Sequence, residues 1–465
     1  MGDLEQNLID WIAVSTGGEV TEARLATVSG RAGYRIDVRR DGEPLALFLQ
    51  RGRKPSESSF LPLAREAEVS RAVEAIGVKV PHVWAVSESE NVVLSDRVAG
   101  VVWFVEPADV CQQVYIAQDY IRQLATWHST PAAALDLPSF QPIRGARRHQ
   151  RDQLAGIRKL FEEADRASPI DAIARVSLSY LERNIPDYNG PAVLCQGDTG
   201  PGNFLYRGDE VVAVVDWELA HVGDPMDDIA WLSWRATQHG FPDFPERLRE
   251  YERLSGFAVD PERVRYYRVN ACARLGPWFG LADMGEAGAR RRERGDDSPS
   301  ADDRDSDGSQ MVMTMLHRRM RLTALADALG VTLPSRFLAE EAPVPEHARR
   351  YDRVLTQLQT LATLVADPNA ARQVKGIARQ VKYLKGANRN HARFERQELA
   401  DISRLLGRTP GSLDEGRPAL AEATREGKVS FEGYLLYHWN RVVRDDHMMR
   451  EASGRLFDRT WPELA

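Results

Sequence analysis

The 465-residue sequence contains little cysteine and no long uncharged apolar run. Its three cysteines, Cys111, Cys195 and Cys272, lie far apart and form no CxxC pair. This argues against a zinc site or a disulfide framework and favours a reducing compartment. No stretch approaches the ~18 apolar residues that indicate a membrane span, and the first residues lack the basic and apolar regions of a signal peptide. We therefore expect a cytoplasmic protein without a membrane partner.

The sequence also lacks a strong excess of charge of either sign. It has 61 Lys and Arg against 68 Asp and Glu, a formal net charge of −7. Such a mild excess argues against nucleic acid or an anionic membrane as a partner. Hydrophobic residues make up 43% of the chain and charged residues 28%. These values are ordinary for a globular protein, and the length allows more than one domain.

The pattern of apolar residues changes along the chain and predicts an α+β fold. Strand-like runs dominate residues 26–105, apart from one helical segment at 63–76. The chain then reads as mainly helical, except for short apolar strands within 193–215. A proline-rich break at 342–345 precedes a last helical block. We predict three domains, at 1–100, 101–340 and 341–465, the last of them small and all-α.

Chemistry is concentrated in residues 193–231. Asp198 and Asn203 lie five residues apart on a loop rich in glycine and proline, and Asp216 ends a run of valines that predicts a buried strand. Two carboxylates and an amide, without His or Cys, are the hard oxygen ligands that suit Mg²⁺. A carboxylate that does not bind the metal could accept a proton from a substrate hydroxyl.

The spacing D-x-x-x-x-N followed by a strand-terminal Asp is the kinase arrangement of base, metal amide and metal carboxylate. Residues 196–198 read Gln-Gly-Asp, residues 215–218 read Val-Asp-Trp-Glu, and residues 223–230 read Gly-Asp-Pro-Met-Asp-Asp-Ile-Ala. Together these resemble the aminoglycoside phosphotransferase/choline kinase-like family, and within it the phosphotransferase domains found near acyl-CoA dehydrogenases. The resemblance covers roughly residues 20–330 and is strong only in 193–231.

The resemblance implies a two-lobed protein-kinase-like fold, with a small antiparallel-sheet N-lobe and a mostly helical C-lobe. It also implies that Asp198 is the catalytic base, that Asn203 and Asp216 bind Mg²⁺, and that Asp224 and Asp228 brace the loop. The sequence departs from the family at Gln196, where a histidine is usual, and at residues 199–200, where Thr-Gly replaces bulkier residues. We expect the first departure to affect rate more than reaction type, and the second to open the substrate side. His128 is expected to pack behind the catalytic loop.

Three glycine-loop residues and one ion pair complete the predicted nucleotide site. Ser29, Gly30 and Gly33 could let backbone N–H groups approach phosphate oxygens, although the stretch does not match G-x-G-x-x-G. Arg51, at the end of a strand, is predicted to bind the phosphates as a cation held by Glu66 on the following helix. The alternative is that Gln50 occupies the cation position and that Arg53 or Lys54 substitutes as the cation.

The predicted function is transfer of the γ-phosphoryl group of ATP, or of GTP, to a hydroxyl of a small molecule with Mg²⁺ as cofactor. The alternatives are a catalytically weak nucleotide-binding pseudokinase and a helical interaction protein. Aminoglycoside, choline-like, sugar, hydroxyacyl and macrolide acceptors all remain open. Apolar stripes in 341–465 could pack against a second copy of the chain, and the basic stretch at 372–396 could dock an anionic partner.

Overall fold

The computed structural model describes residues 4–27, 31–52, 62–102, 104, 109–167, 172–275, 308–338, 343 and 348–464. The chain divides into two compact units. The first contains Met1–Gln153, Ile185–Arg268 and Trp461–Ala465, and the second contains Leu154–Asn184 and Val269–Thr460. None of the helices in these described ranges is long and apolar enough to cross a membrane.

The first unit begins with helix α1 (Gln6–Thr16) and a five-stranded antiparallel sheet. Its strands follow the order β1-β2-β3-β5-β4, and helix α2 (Leu63–Glu74) connects β3 to β4. The strand bounds are β1 (Glu19–Thr27), β2 (Ala32–Arg40), β3 (Glu43–Arg51), β4 (Val83–Ser87) and β5 (Val92–Asp96). The strand-like runs and the helical segment at 63–76 that the sequence predicts lie at the places of these strands and of α2.

The two faces of the sheet are covered by different helices, because side chains alternate along each strand. Leu47 and Leu49 of β3 are buried in a core with Leu8 and Ile12 of α1. Val93 of β5 packs with residues of α2 in a second cluster. This alternation decides which residues of β3 can reach a ligand.

The rest of the first unit is mostly helical, with two short antiparallel pairs, β6 with β9 and β7 with β8. These strands are β6 (Val193–Cys195), β7 (Phe204–Arg207), β8 (Glu210–Val214) and β9 (His221–Gly223). The helices that begin in this unit are α3 (Val110–Ser129), α4 (Ala146–Ala167), α6 (Pro225–His239), α7 (Phe244–Ser255) and α8 (Pro261–Leu275). Asp198, Asn203 and Asp216 lie on the loops between β6 and α6.

The second unit is entirely helical in its described residues. Its 39-residue helix α11 (Pro368–Leu406) packs against α9 (Gly308–Leu329), α10 (Arg349–Leu364), α12 (Leu413–Arg425), α13 (Phe431–Met448) and the short α14 (Arg450–Ser453). Helix α5 (Ala172–Arg183) packs against α12. The predicted α+β class, with an antiparallel sheet first and a mostly helical remainder, is confirmed.

Helix α10 leaves part of its apolar stripe in water. It packs on α11, yet Leu361 is 46% exposed and Leu364 is 74% exposed. Pairing of the C-terminal helices with a second copy remains a prediction. So does the division at residues 100 and 340.

Candidate active site

The loop after β6 has, at its second residue, a backbone conformation that favours glycine. Gly197 has φ +80°, and a Cβ built there would lie 2.4 Å from the carbonyl oxygen of Leu219. A side chain would therefore force the loop and the segment before β9 apart. The glycine keeps these two segments in contact, so that the next residue, Asp198, has a fixed position.

A buried carboxylate on α6 holds this loop from below. Asp228 accepts hydrogen bonds from the backbone N–H of Gln196 (2.8 Å) and of Gly197 (2.9 Å). Nε2 of His128 lies 3.1 Å from Oδ2 of Asp228, and Nδ1 lies 2.7 Å from the hydroxyl of Tyr251. Burial would raise the pKa of Asp228, but the hydrogen bond and charge of His128 outweigh it and hold the pKa below its usual value.

These contacts also account for a buried trio of groups that could in principle bind a metal. His128, Cys195 and Asp228 bring ligand atoms within 4.8 Å of one another. The histidine and the carboxylate are already engaged in the hydrogen bonds that brace the loop. The trio is therefore a structural support, in line with the packing role expected for His128.

Asp224 is placed differently from Asp228. It caps α6 by accepting a hydrogen bond from the backbone N–H of Met226 (2.9 Å), and it forms a 2.7 Å ion pair with Arg263. Burial raises the pKa of the Asp224 carboxyl. Its contacts fix the beginning of the helix that carries Asp228, so it supports the loop through α6.

Gln196 connects the loop to the strand segment that carries the predicted metal carboxylate. Its side-chain Nε2 donates to the carbonyl oxygen of Val215 at 2.7 Å. This residue stands where the family usually has histidine, and the amide makes the link by a hydrogen bond of ordinary length. The expectation that the substitution affects rate more than reaction type stays a prediction.

Asp198 is engaged by two side chains. The Nδ2 amide of Asn203 donates to its carbonyl oxygen (2.6 Å) and to its Oδ2 (2.8 Å). Arg235 of α6 grips the carboxylate in a bidentate pair, with Nε 2.7 Å from Oδ1 and the second guanidinium nitrogen on Oδ2. Bidentate pairs of this kind fix direction as well as position. The orientation of the Asp198 carboxylate is thus set by α6.

Arg235 also explains why a glycine follows Thr199. A Cβ at Gly200, whose φ is +131°, would lie 2.8 Å from the Cβ of Arg235. Because Gly200 has no side chain, Arg235 can lie close to the loop backbone and still contact Asp198. The space expected at residues 199–200 is therefore occupied, at Gly200, by Arg235.

Asp216 has a backbone conformation that is uncommon outside glycine. It follows β8 with φ +66°, in the left-handed region that costs on the order of 1 kcal/mol or more for such residues. The residue keeps solvent access within the cleft. Crowding by protein atoms raises the pKa of its carboxyl, and the neighbouring Asp198 raises it further. A strained backbone and a like-charged neighbour are features that cluster at functional sites.

The oxygen donors at this point fit a hard cation. Since Nδ2 of Asn203 is committed to Asp198, its Oδ1 is the side-chain atom left to bind a cation. The backbone of Asn203 is tied to that of Val215, whose N–H lies 2.9 Å from the Asn203 carbonyl oxygen. An amide oxygen and the Asp216 carboxylate are therefore held on adjoining segments, as a magnesium site with several waters requires.

A cleft of about 550 Å³ lies between the sheet and the segment 205–218. Its wall combines apolar groups with a few charged ones, as in small-molecule sites generally. The apolar lining includes Phe48, Leu63, Val83, Val93, Leu205, Val214 and Trp217, and the charged lining includes Arg31, Arg35, Glu66, Arg97, Asp216 and Glu218. Gly33 lines the cleft as well, whereas Ser29 and Gly30 lie outside the described residues.

The structure does not bring Arg51 to Glu66. Arg51 forms a 2.8 Å ion pair with Glu5, and the cleft is lined by its neighbour Gln50. The reason is strand alternation: Arg51 shares the face of Leu47 and Leu49, which is covered by α1. The predicted Arg51–Glu66 pairing is therefore wrong. Of the alternatives, Gln50 lines the cleft, while Arg53 and Lys54 lie outside the described residues.

Glu66 is paired instead with Arg31, just before β2. The guanidinium of Arg31 lies 2.5 Å from Glu66 and 3.1 Å from Glu218. Burial raises the pKa of Glu66 to about 7, although Arg31 opposes the shift. Sequence reasoning assigned no role to Arg31 or to Arg235. The two-residue period of β3 could have excluded Arg51, but Arg235 lies 37 positions from Asp198, without a local signal.

Comparison with known proteins places this site in a family. The Phosphotransferase enzyme family (APH) matches residues 29–267, just over half of the chain. The chain belongs to this family, which confirms the kinase-like fold and the resemblance read from residues 193–231. Family membership supports phosphotransfer to a small molecule as the class of reaction. The matched range is shorter than the 20–330 expected from the sequence.

Among curated relatives, the chain is similar to acyl-CoA dehydrogenase family member 11 of Homo sapiens, with 28% identity over 247 residues. This match covers 45% of the chain and 31% of the human protein. The same protein of Rattus norvegicus is 27% identical over 206 residues, which is 40% of the chain and 26% of the rat protein. The chain therefore corresponds to less than a third of these relatives.

Among solved structures, the chain is similar to macrolide 2′-phosphotransferase MphH from Brachybacterium faecium. The identity is 22% and the TM-score 0.43, over 62% of this chain and 95% of that one. It is also similar to APH(2″)-IIa in a ternary complex with streptomycin and ATP, with 15% identity and a TM-score of 0.45. That match covers 60% of this chain and 90% of the other.

Proposed function

We propose that the protein is an ATP- and Mg²⁺-dependent phosphotransferase that moves the γ-phosphoryl group to a hydroxyl of a small molecule. The observation that carries the proposal is the assembly of Asp198, Asn203 and Asp216 on connected loop segments, Asp216 in the wall of a cleft of about 550 Å³. GTP is the alternative donor. The proposed compartment is the cytoplasm.

The cleft suits a nucleoside triphosphate in size and chemistry. Phe48, Val83, Val93 and Leu205 offer an apolar surface for the base. Arg31 and Asp216 offer the charge needed for phosphates and for a cation bound to them. In this assignment Asp216 and Oδ1 of Asn203 hold Mg²⁺, which, when bound, would neutralise charge on the phosphate oxygens.

The protein groups then have few tasks, because phosphoryl transfer depends mainly on positioning and charge stabilisation. The acceptor oxygen forms a bond to the γ-phosphorus while the bond from that phosphorus to the bridging oxygen breaks. The hydroxyl proton passes to the carboxylate of Asp198, and the nucleoside diphosphate leaves with the bridging oxygen. Arg235 and Asn203 keep the receiving carboxylate in one orientation.

One observation favours a second candidate, a nucleotide-binding pseudokinase. Arg235 engages both carboxylate oxygens of Asp198, which weakens the carboxylate as a proton acceptor unless a lone pair stays available. A carboxylate has about four lone-pair positions, and the bidentate pair and Asn203 occupy three of them. The remaining position is enough for a base, so we retain the enzyme as the proposal.

The acceptor is to be found by a screen of nucleoside diphosphate release against a library of alcohols, sugars and hydroxyacyl-CoA compounds. The product is identified by a mass increase equal to one HPO₃ group, and Asp198→Asn serves as the matched control. An enzyme gives product with the native chain and little with the variant. A pseudokinase binds Mg·ATP, as seen by a thermal shift, but forms no product with any member of the library. A helical interaction protein shows no nucleotide-dependent shift.

A further inference from the structure

Arg31 occupies an unusual position among the charged groups of the cleft. Its guanidinium lies 2.5 Å from Glu66 of α2 and 3.1 Å from Glu218, two residues after Asp216. The side chains of Arg31, Glu66 and Glu218 are only 14%, 11% and 21% exposed. All three line the cleft. A single cation thus connects the helix beside the sheet to the segment that carries the predicted metal carboxylate.

Strand β3 supplies no cation at this place. In the register of the sheet, Gly33 of β2 pairs with Gln50 of β3, and Ala32 pairs with Arg51. Gln50 is the neutral residue that faces the cleft, and Arg51 is turned toward Glu5 on the opposite face. Arg31 immediately precedes Ala32, the first residue of β2 in this pairing. It therefore lies beside the position that a cation on β3 would occupy.

The other cationic residues of the cleft are placed differently. Arg97 forms a 2.5 Å ion pair with Asp37 on β2. Arg35 is paired in register with Phe48, four residues further along the chain than Arg31. Arg31 interacts electrostatically with Glu66, Glu218 and Asp216. Its five N–H donors allow it to keep both carboxylates and still donate to a phosphate oxygen.

We propose that Arg31 is the phosphate-binding cation of the cleft, supplied from the start of β2 and held in place by Glu66 and Glu218. The inference rests on the proposed function in one respect, that the ligand is a nucleoside triphosphate. It goes beyond that function because it places the cation just before β2, whereas the sequence predicts it at the end of β3. Gln50 then lies beside the phosphates as a neutral residue.

The test compares binding of Mg·ATP, ADP and adenosine by calorimetry in the full-length chain. Arg31→Gln removes the cation, Arg31→Lys keeps a charge without the planar fork, and Arg51→Gln is the matched control outside the cleft. We expect Arg31→Gln to weaken Mg·ATP and ADP binding by about 10- to 100-fold, the usual effect of a lost hydrogen bond to a charged group. Adenosine, which has no phosphate, should bind to this variant as it binds to the native chain.

A fourth variant relocates the charge. Arg31→Gln combined with Gln50→Lys returns a cation to the cleft from β3, and we expect it to recover part of the lost ATP affinity. Unchanged adenosine binding shows that the cleft is folded in each variant. If Arg31→Gln binds ATP as the native chain does, or if Arg51→Gln weakens ATP binding as much, the assignment of Arg31 is wrong. If the native chain binds neither ATP nor GTP, the proposed function itself fails, which is a separate result.

Discussion

Replacement of Arg235 tests whether the orientation of Asp198 limits the reaction. Arg235→Lys keeps a positive charge near the carboxylate but removes the planar fork that forms the bidentate pair, so the two residues are not equivalent at such a site. Arg235→Gln removes the charge as well. Neither change touches the cleft directly, because Arg235 is not among the residues that line it.

The magnitude follows from the bonds that are lost. A hydrogen bond to a charged group contributes about 1.5–3 kcal/mol, and ~1.4 kcal/mol corresponds to a tenfold change in rate. We expect Arg235→Lys, which loses one of the two parallel bonds, to lower kcat by about 10- to 100-fold. The KM for Mg·ATP should change by less than about threefold, because positioning of the base acts on the chemical step.

The assay measures ADP release at saturating Mg·ATP, either with the acceptor found in the screen or with water in its place. Arg249→Gln on α7 is the control, since Arg249 forms an exposed pair with Glu246. Addition of guanidinium ions to Arg235→Ala should restore part of the rate if the guanidinium orients Asp198, a recovery that a purely structural arginine would not give. An Arg235→Lys enzyme with native kcat would refute the reasoning. A variant faster than the native chain would show that the pair restrains Asp198.

Three further predictions concern the metal, a proton and the loop. Asp216→Ala should weaken Mg²⁺-dependent ATP binding at least tenfold while adenosine binding persists. If calorimetry shows an unchanged Mg²⁺ dependence, the assignment of Asp216 as a metal ligand is wrong. Because the pKa of Glu66 is about 7 and a bound polyanion favours its protonated form, ATP binding near pH 7 should take up part of a proton. The uptake, measured in buffers of different ionisation enthalpy, should be smaller in Glu66→Gln, and an identical uptake would refute this link. Gly197→Ala should destabilise the first unit by about 1–3 kcal/mol and abolish turnover, and a native-like melting temperature would contradict the strain argued for this position.

The features that sequence reasoning placed correctly depend on short stretches of chain. The strands of the sheet and helix α2 follow from alternation and helical spacing within ten residues or so. The loop from Asp198 to Asn203 and the position of Asp216 after β8 follow from one motif of continuous sequence. Local geometry sets patterns of this length, so these elements can be predicted without knowledge of the remaining fold.

The features that it missed depend on contacts between distant segments. Arg235 reaches Asp198 because α6 packs beneath the loop, where the backbone N–H groups of residues 196 and 197 donate hydrogen bonds to Asp228. Glu66 pairs with Arg31 and not with Arg51, because Arg51 lies on the face of β3 that packs against α1, opposite the cleft. Strand alternation could have excluded Arg51, but only the fold brings Arg31, just before β2, to Glu66.

The most direct test of the account is phosphoryl transfer itself, followed with ATP labelled at the γ-phosphoryl group. The native chain, Mg²⁺ and the acceptor from the screen should give a labelled product with a phosphate ester on its hydroxyl. Asp198→Asn should bind Mg·ATP with similar affinity and form product about 10²- to 10⁴-fold more slowly, the usual contribution of a general base. Product formation at the native rate by Asp198→Asn would contradict the assignment of the base, and absence of labelled product from the native chain with every acceptor class would contradict the proposed enzyme.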